Sequence, residues 1–240
     1  MNDDIAANRR RAQLLVAEVA VPVLVVVAVA VALVAGIVVG LVAGGVAAGL
    51  VAVYVLRSGP ARVRRAIGGR SADVVADARL VNLIDGLGAA AGVPAPRLIV
   101  VDDERPDALT FGLDPHSATI AVTTGLLGAL NRVELEGVLA RELARIKRED
   151  IRPATVAVAV LGLVGPITPW YDSVRRAAVA DGGLDADTQG VRITRYPPGL
   201  ADALAKIGAP GACTRATGHL WLSSDVHSSL DERIEALREL

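Results

Sequence analysis

Apolar residues run almost unbroken from residue 14 to residue 56, and Glu18 and Tyr54 are the only ionisable side chains among them. As a helix, this stretch would extend ~64 Å at 1.5 Å per residue. A bilayer core is only ~30 Å thick. The pattern therefore predicts two membrane-spanning helices, about 14–34 and 37–56, folded as a hairpin. Gly36, Gly40, Gly44 and Gly45 lie mid-stretch and suit a tight turn or close helix packing. The run is far longer than the ~7–15 apolar residues of a cleavable signal peptide. Glu18 lies near the entry of the first span, where it can reach the interface.

Beyond residue 60 the apolar pattern breaks into short elements. Residues 71–91 carry Val74, Ala78, Val81, Ile84 and Leu87 at helical spacing, stopped by Gly92 and Pro94. Residues 97–101 read as a short strand, 102–115 as a loop with two prolines, and 118–123, with alternating Ile120 and Val122, as a second strand. Asn131 followed by Glu134 is a capping-box start for a helix to about residue 150. Residues 154–164 form a second apolar patch bounded by Pro153, Pro166 and Pro169. That is short for a crossing, and one crossing would put the two halves of the domain that follows the hairpin on opposite sides. The segment 153–170 therefore reads as re-entrant, interfacial or packed on the hairpin, with a third span as the lesser alternative. Helices are expected over 197–207 and, from Leu230, Ile234 and Leu237, at the end of the chain. The class is α+β, mainly α with a small sheet: a membrane hairpin over 1–60 and one further domain over 61–240.

Charge fixes an orientation. Arg9, Arg10 and Arg11 precede the first span, while Arg57, Arg62, Arg64, Arg65 and Arg70 follow the second. The positive-inside rule places both flanks in the cytoplasm, which a hairpin satisfies and a single span does not. Composition then excludes several classes. The chain is 52% hydrophobic, with mean hydropathy +0.47 and formal net charge -1, so no global field favours nucleic acid. Aromatics at 2% leave little for base stacking. Cys213 is the single cysteine, which rules out an internal disulfide and suits a small buried side chain.

Winding the helix after Asn131 at 100° per residue puts Leu135, Val138, Leu139 and Ile146 on one face. Glu142 falls in the middle of that face, with Arg141 and Arg145 along its edge. A carboxylate on a core-facing stripe is costly unless it is paired or functional. Both readings stand at this point: a buried ion pair with a neighbouring arginine, or a working carboxylate.

The text "AAGVPAPRLIVVDDERPDALTFGLDPHSATIAVTTGLLGALNRVELEGVLARELARIKRED" resembles the HtpX-like membrane zinc metallopeptidases, bacterial quality-control endopeptidases of the H-E-x-x-H (gluzincin) type. The likeness continues through "LDADTQGVRITRYPPGLADALAKI", "ATGHLWL" and "HSSLDERIEALREL". It implies a zincin-like domain behind the two-span hairpin, in the cytoplasmic membrane and facing the cytoplasm. In the family, two histidines at i and i+4 bind zinc and the glutamate between them polarises the attacking water. The corresponding positions here are Arg141, Glu142 and Arg145, so the general-base glutamate is kept and both imidazoles are replaced. The third ligand, a glutamate of E-x-x-x-D, aligns with Gly183, while the aspartate remains as Asp187; Asp185 lies close by. His227 and Arg233 match a late T-H-P-x-x-x-x-R element that binds substrate or the oxyanion in active members, with Ser228 and Ser229 in place of the prolines. His227 is open to reading as a relic, a helix N-terminal contact or a working residue. His219 looks structural, and His116 is expected on an exposed loop.

The resemblance thus implies a degenerate zinc site with no metal cofactor. Three functions follow: a pseudoprotease that binds or regulates partners in membrane protein quality control, an active zinc endopeptidase with non-standard ligands, or a purely structural membrane subunit. Arginines at 141 and 145 are expected to neutralise Glu142 and Asp187. The strand at 118–123 is expected near a cleft, available to an extended peptide. The expected partners are the lipid bilayer, with membrane-protein or peptide clients or active relatives beside it, and no nucleic acid.

Overall fold

In the computed structural model, the described residues are 2–164, 168–179, 182–208, 217–224 and 228–240. His227 and Cys213 fall outside them. Two long helices, α1 (Asn2–Ala35) and α2 (Ile37–Ile67), form the predicted hairpin. Gly36 alone makes the reversal with φ 91, a value that favours a residue without Cβ. The helices cross closely where Gly44 meets α1: a Cβ there would lie 2.7 Å from the Leu24 carbonyl oxygen. The projecting part exposes Val25, Val29, Leu33, Val38, Val42 and Val46, and both helices are long and apolar enough to cross a membrane. Glu18 is exposed on α1.

The remaining elements are β1 (Arg70–Ser71), α3 (Ala78–Ala91), β2 (Arg97–Val101), β3 (Ala108–Phe111), β4 (Thr119–Thr123), α4 (Thr124–Ala129), α5 (Arg132–Lys147), α6 (Ile151–Val164), α7 (Thr168–Ala178), α8 (Gly182–Thr194), α9 (Pro197–Ile207) and α10 (Leu230–Arg238). Short 3-10 turns lie at Pro115–Ser117, which leaves His116 exposed, and at Gly218–Leu220. The strands form one mixed sheet in the order β1-β2-β4-β3, with β2 parallel and β3 antiparallel to β4. Alternation sorts its two faces. Val100, Ile120 and Val122 join the core under α3, α5 and α9, whereas Ile99, Val101, Leu109, Phe111 and Ala121 face the base of α2 and α6. A sheet covered on both faces explains why its strands read as nearly continuous apolar runs.

Three expectations change. The loop expected over 102–115 contains β3, whose four residues are all buried. The helix expected from residue 71 begins only at Ala78, because residues 70 and 71 pair with β2 and the Asp73 side chain accepts the Val75 and Ala76 N–H groups in a turn. The strand expected to receive a peptide, β4, is interior, with β2 on one side and β3 on the other. The outer edge of β3 is itself met by the chain: Leu109 bridges Trp221, and the Leu222 N–H donates to the Ala108 carbonyl.

The second apolar patch is α6. At 14 residues it reaches ~21 Å, short of a ~30 Å core. It packs instead on the hairpin base, where Val156, Ala157 and Val160 meet Ala12, Leu15 and Val55. Ala154 and Val158 turn the other way, toward the sheet. Arg62 of α2 donates to the Ala159 carbonyl at 2.9 Å. Helix α6 is thus the joint between the hairpin and the domain.

Candidate functional site

The capping box predicted at Asn131 is present: its side chain accepts the Glu134 N–H at 3.0 Å, and Glu134 accepts the Asn131 N–H at 2.8 Å. This start sets the phase of α5 and places Glu142 wholly inside, with 0% of its surface exposed. Helix α8 crosses α5 at close range because Gly190 has no side chain; a Cβ there would lie 2.7 Å from the Arg141 Cα. That approach brings Asp187, also fully buried, to the arginine. Helix α10 starts at a second capping box, Ser229 with Glu232, and carries the fully buried Arg233 to the same aspartate.

These side chains form one continuous ion-pair chain. Arg145 donates to Glu142 Oε2 at 3.0 Å, and Arg141 donates to Oε1 at 2.5 Å. Arg141 Nε also donates to Asp187 Oδ1 at 2.8 Å. Arg233 grips the same carboxylate with Nε and Nη2, at 2.7 and 2.9 Å, and its Nη1 donates to the Leu222 carbonyl at 3.0 Å. Thr110 of β3 adds a hydroxyl to Glu142 Oε2 at 2.6 Å. Burial pushes the Glu142 carboxyl up, but the charges of Arg145 and Arg141 win and hold it below its ordinary value. Such charge-assisted contacts answer the cost of a buried carboxylate.

The structure therefore brings Arg141, Glu142, Arg145, Asp187 and Arg233 together. Gly183 sits one turn before Asp187 on α8 and is buried. Asp185 turns away to pair with Arg148. His219 is buried and donates through Nε2 to the Ala154 carbonyl at 2.9 Å. Burial, with Arg175 and Arg145 adding repulsion, pushes its pKa down to about 4, so it serves as a neutral bracket for α6.

Thr110, Asp107 and Ser223 are polar members of this region that sequence reasoning missed. Asp107 precedes β3, accepts the Ala108 N–H at 2.8 Å and the Ser223 N–H at 3.2 Å, and receives the Ser223 hydroxyl. Burial outweighs these bonds and raises its pKa to about 6. For Thr110 and Asp107 the only sequence signal was polarity inside the segment read as a loop, which does not separate them from solvated neighbours, and Ser223 carried no signal of its own.

Zinc does not fit this donor set. A guanidinium offers no lone pair, and Arg141 and Arg145 are already committed to Glu142 and Asp187. Among the described residues, no group of three or more His, Cys, Asp or Glu side chains is placed to hold a metal ion.

Residues 75–240 match the model of Peptidase family M48. The chain belongs to that family. It is 36% identical over 161 residues to the Protease HtpX homolog of Dictyoglomus turgidum (strain DSM 6724 / Z-1310), a match covering 53% of each chain; the chain thus spans about half of that relative's length. Against the Protease HtpX homolog of Tropheryma whipplei (strain Twist) it is 30% identical over 245 residues, covering 78% of this chain and 84% of the other. With that of Streptococcus gordonii (strain Challis / ATCC 35105 / BCRC 15272 / CH1 / DL1 / V288), 27% identity extends over 99% of both. The protein is an HtpX-like membrane metallopeptidase homologue, of a family for which zinc is expected.

Proposed function

We propose that this chain is a catalytically inactive pseudoprotease, anchored in the cytoplasmic membrane with its peptidase domain in the cytoplasm, and that it binds or regulates partners in membrane protein quality control. One observation carries the reading: at the positions that resemble the H-E-x-x-H motif, Arg141 and Arg145 occupy both oxygens of Glu142. A general base must accept a proton from water, and this carboxylate is already saturated by cations and the Thr110 hydroxyl. Gly183 supplies no third ligand. The basic flanks of the hairpin support the cytoplasmic orientation. Partners are membrane-protein or peptide clients, or active relatives. They are recognised away from β4, because both of its edges are paired.

The test is metal content of the purified full chain, with casein cleavage assayed alongside. No stoichiometric zinc and no chelator-sensitive cleavage are expected. Stoichiometric zinc with cleavage that a chelator abolishes would overturn the proposal. The triple variant Arg141→His, Arg145→His, Gly183→Glu asks whether the scaffold still accepts the metal.

A further inference from the structure

A concavity lies on the far side of α5, away from Glu142. It is a cavity of about 600 Å³ between the end of α3, the end of α5, the end of α8 and the first turn of α1. Four cations line it, Lys147, Arg148, Arg192 and Arg195, against one carboxylate, Asp4. In a chain of net charge -1 this is a concentrated positive site.

The four cations are not equally committed. Lys147 donates to the Ala91 carbonyl at 2.7 Å, capping the last residue of α3, as a cation at a helix C-terminus does. Arg148 is side-chain buried and pairs with Asp185, but its Nε lies 3.8 Å from Asp150 and has no hydrogen-bond partner. Arg192 reaches only the Gln189 side-chain oxygen, at 3.4 Å. Arg195 is exposed and makes no ion pair with a described carboxylate. The exposed guanidinium groups of Arg192 and Arg195 are therefore left at a cavity of ligand size, with Ala144 and Ile193 as apolar wall.

We propose that this cavity binds a soluble phosphate-bearing anion. Planar guanidinium forks match phosphate oxygens in pairs, and the apolar wall suits the organic part of a phosphate ester. A lipid headgroup carries the same chemistry, but the position argues against it. Asp4 lies ten residues before Leu14 on the continuous helix α1, which is ~15 Å along the axis. The headgroup layer adds only roughly 5–7 Å on each side of the hydrocarbon core. The ligand also spans the two helices that carry Arg141 and Asp187, so occupancy clamps α5 against α8.

The probe is inorganic pyrophosphate, titrated calorimetrically at low ionic strength into the full chain in zwitterionic lipid nanodiscs. Saturable binding of one pyrophosphate per chain is expected. The double variant Arg192→Ala, Arg195→Ala should weaken it at least tenfold, while Arg192→Lys, Arg195→Lys should keep most of the affinity. Both side chains are exposed, so the variants should fold. No saturable binding, or equal affinity in the alanine variant, overturns the proposal. Native mass spectrometry from discs containing anionic lipid separates the sources. A retained phospholipid that disappears in the alanine variant would assign the cavity to a headgroup and overturn the soluble ligand; no such lipid is expected.

Discussion

Glu142 and Asp107 are neighbouring buried carboxylates whose surroundings push them in opposite directions. Burial raises both, but two arginines reverse the effect at Glu142, whereas Asp107 has only hydrogen bonds and ends near 6. The contribution of Glu142 to stability is complete above its unfolded value, near 4.5, and is lost as pH falls through its depressed folded value. Asp107 acts with the opposite sign: its ionised form costs stability at neutral pH, and the cost is relieved as pH falls from about 6 to 3.8. A melting curve measured against pH should therefore rise modestly from pH 7 to 5 and fall in stronger acid. The Asp107→Asn variant should lose the rise, worth at most roughly 3 kcal/mol. Glu142→Gln should cost roughly 3–5 kcal/mol at pH 7, because Arg145 loses its carboxylate and Arg141 keeps only Asp187, with the deficit shrinking in acid. A Glu142→Gln protein as stable as the parent would show that the ion-pair chain does not hold the core. The helical stripe made Glu142 legible in the sequence and left its two readings open; the fold supplies the ion pairs that the first of them requires. The second grip on Asp187 was not legible, because Arg233 lies 46 positions away and no local period connects them.

At the scale of elements, what could be read was what local chemistry dictates. The capping box at Asn131, the Gly208 stop after α9 and the long apolar hairpin each stand where their residues put them. Strand β3 escaped because four wholly buried residues show no alternation. Helix α8 opens on Gly182 and Gly183, which weaken any helical pattern, and its phase is set by contact with α5. The hairpin gives a test at this scale. Gly44→Leu would drive a side chain into the Leu24 carbonyl and the Ala28 methyl, whereas Gly45 has nothing within 4 Å of a built Cβ. In nanodiscs Gly44→Leu should lower the melting temperature by several degrees and Gly45→Leu should leave it unchanged. Equal effects would mean that the close crossing of α1 and α2 contributes nothing.

The whole molecule is organised around one corner, where α5 ends and α6 begins. Glu149 there takes a left-handed φ of 57, so the turn is unfavourable for its residue type and needs support from outside. Helix α1 supplies that support. Arg9 donates to both oxygens of Glu149, the Asn8 side chain donates to the Arg148 carbonyl and to Asp150, and Arg152 adds a weaker contact. The first turns of α1 thus lie outside the apolar span and hold the corner from which α5 runs back to Glu142 and α6 runs forward under the hairpin. Sequence alone read Arg9 as a topogenic charge; the fold gives the same residue a second task, coupling the membrane element to the site helix. Arg9→Glu should set two carboxylates against each other at the corner. The expected result is faster amide exchange over residues 148–160 and a lower melting temperature, with the hairpin still inserted. The charge-swapped pair Arg9→Glu, Glu149→Arg should recover much of the protection, because the ion pair is re-formed in reverse. If the single variant exchanges no faster than the parent, α1 is only an anchor, and α6 alone transmits the membrane contact to the domain.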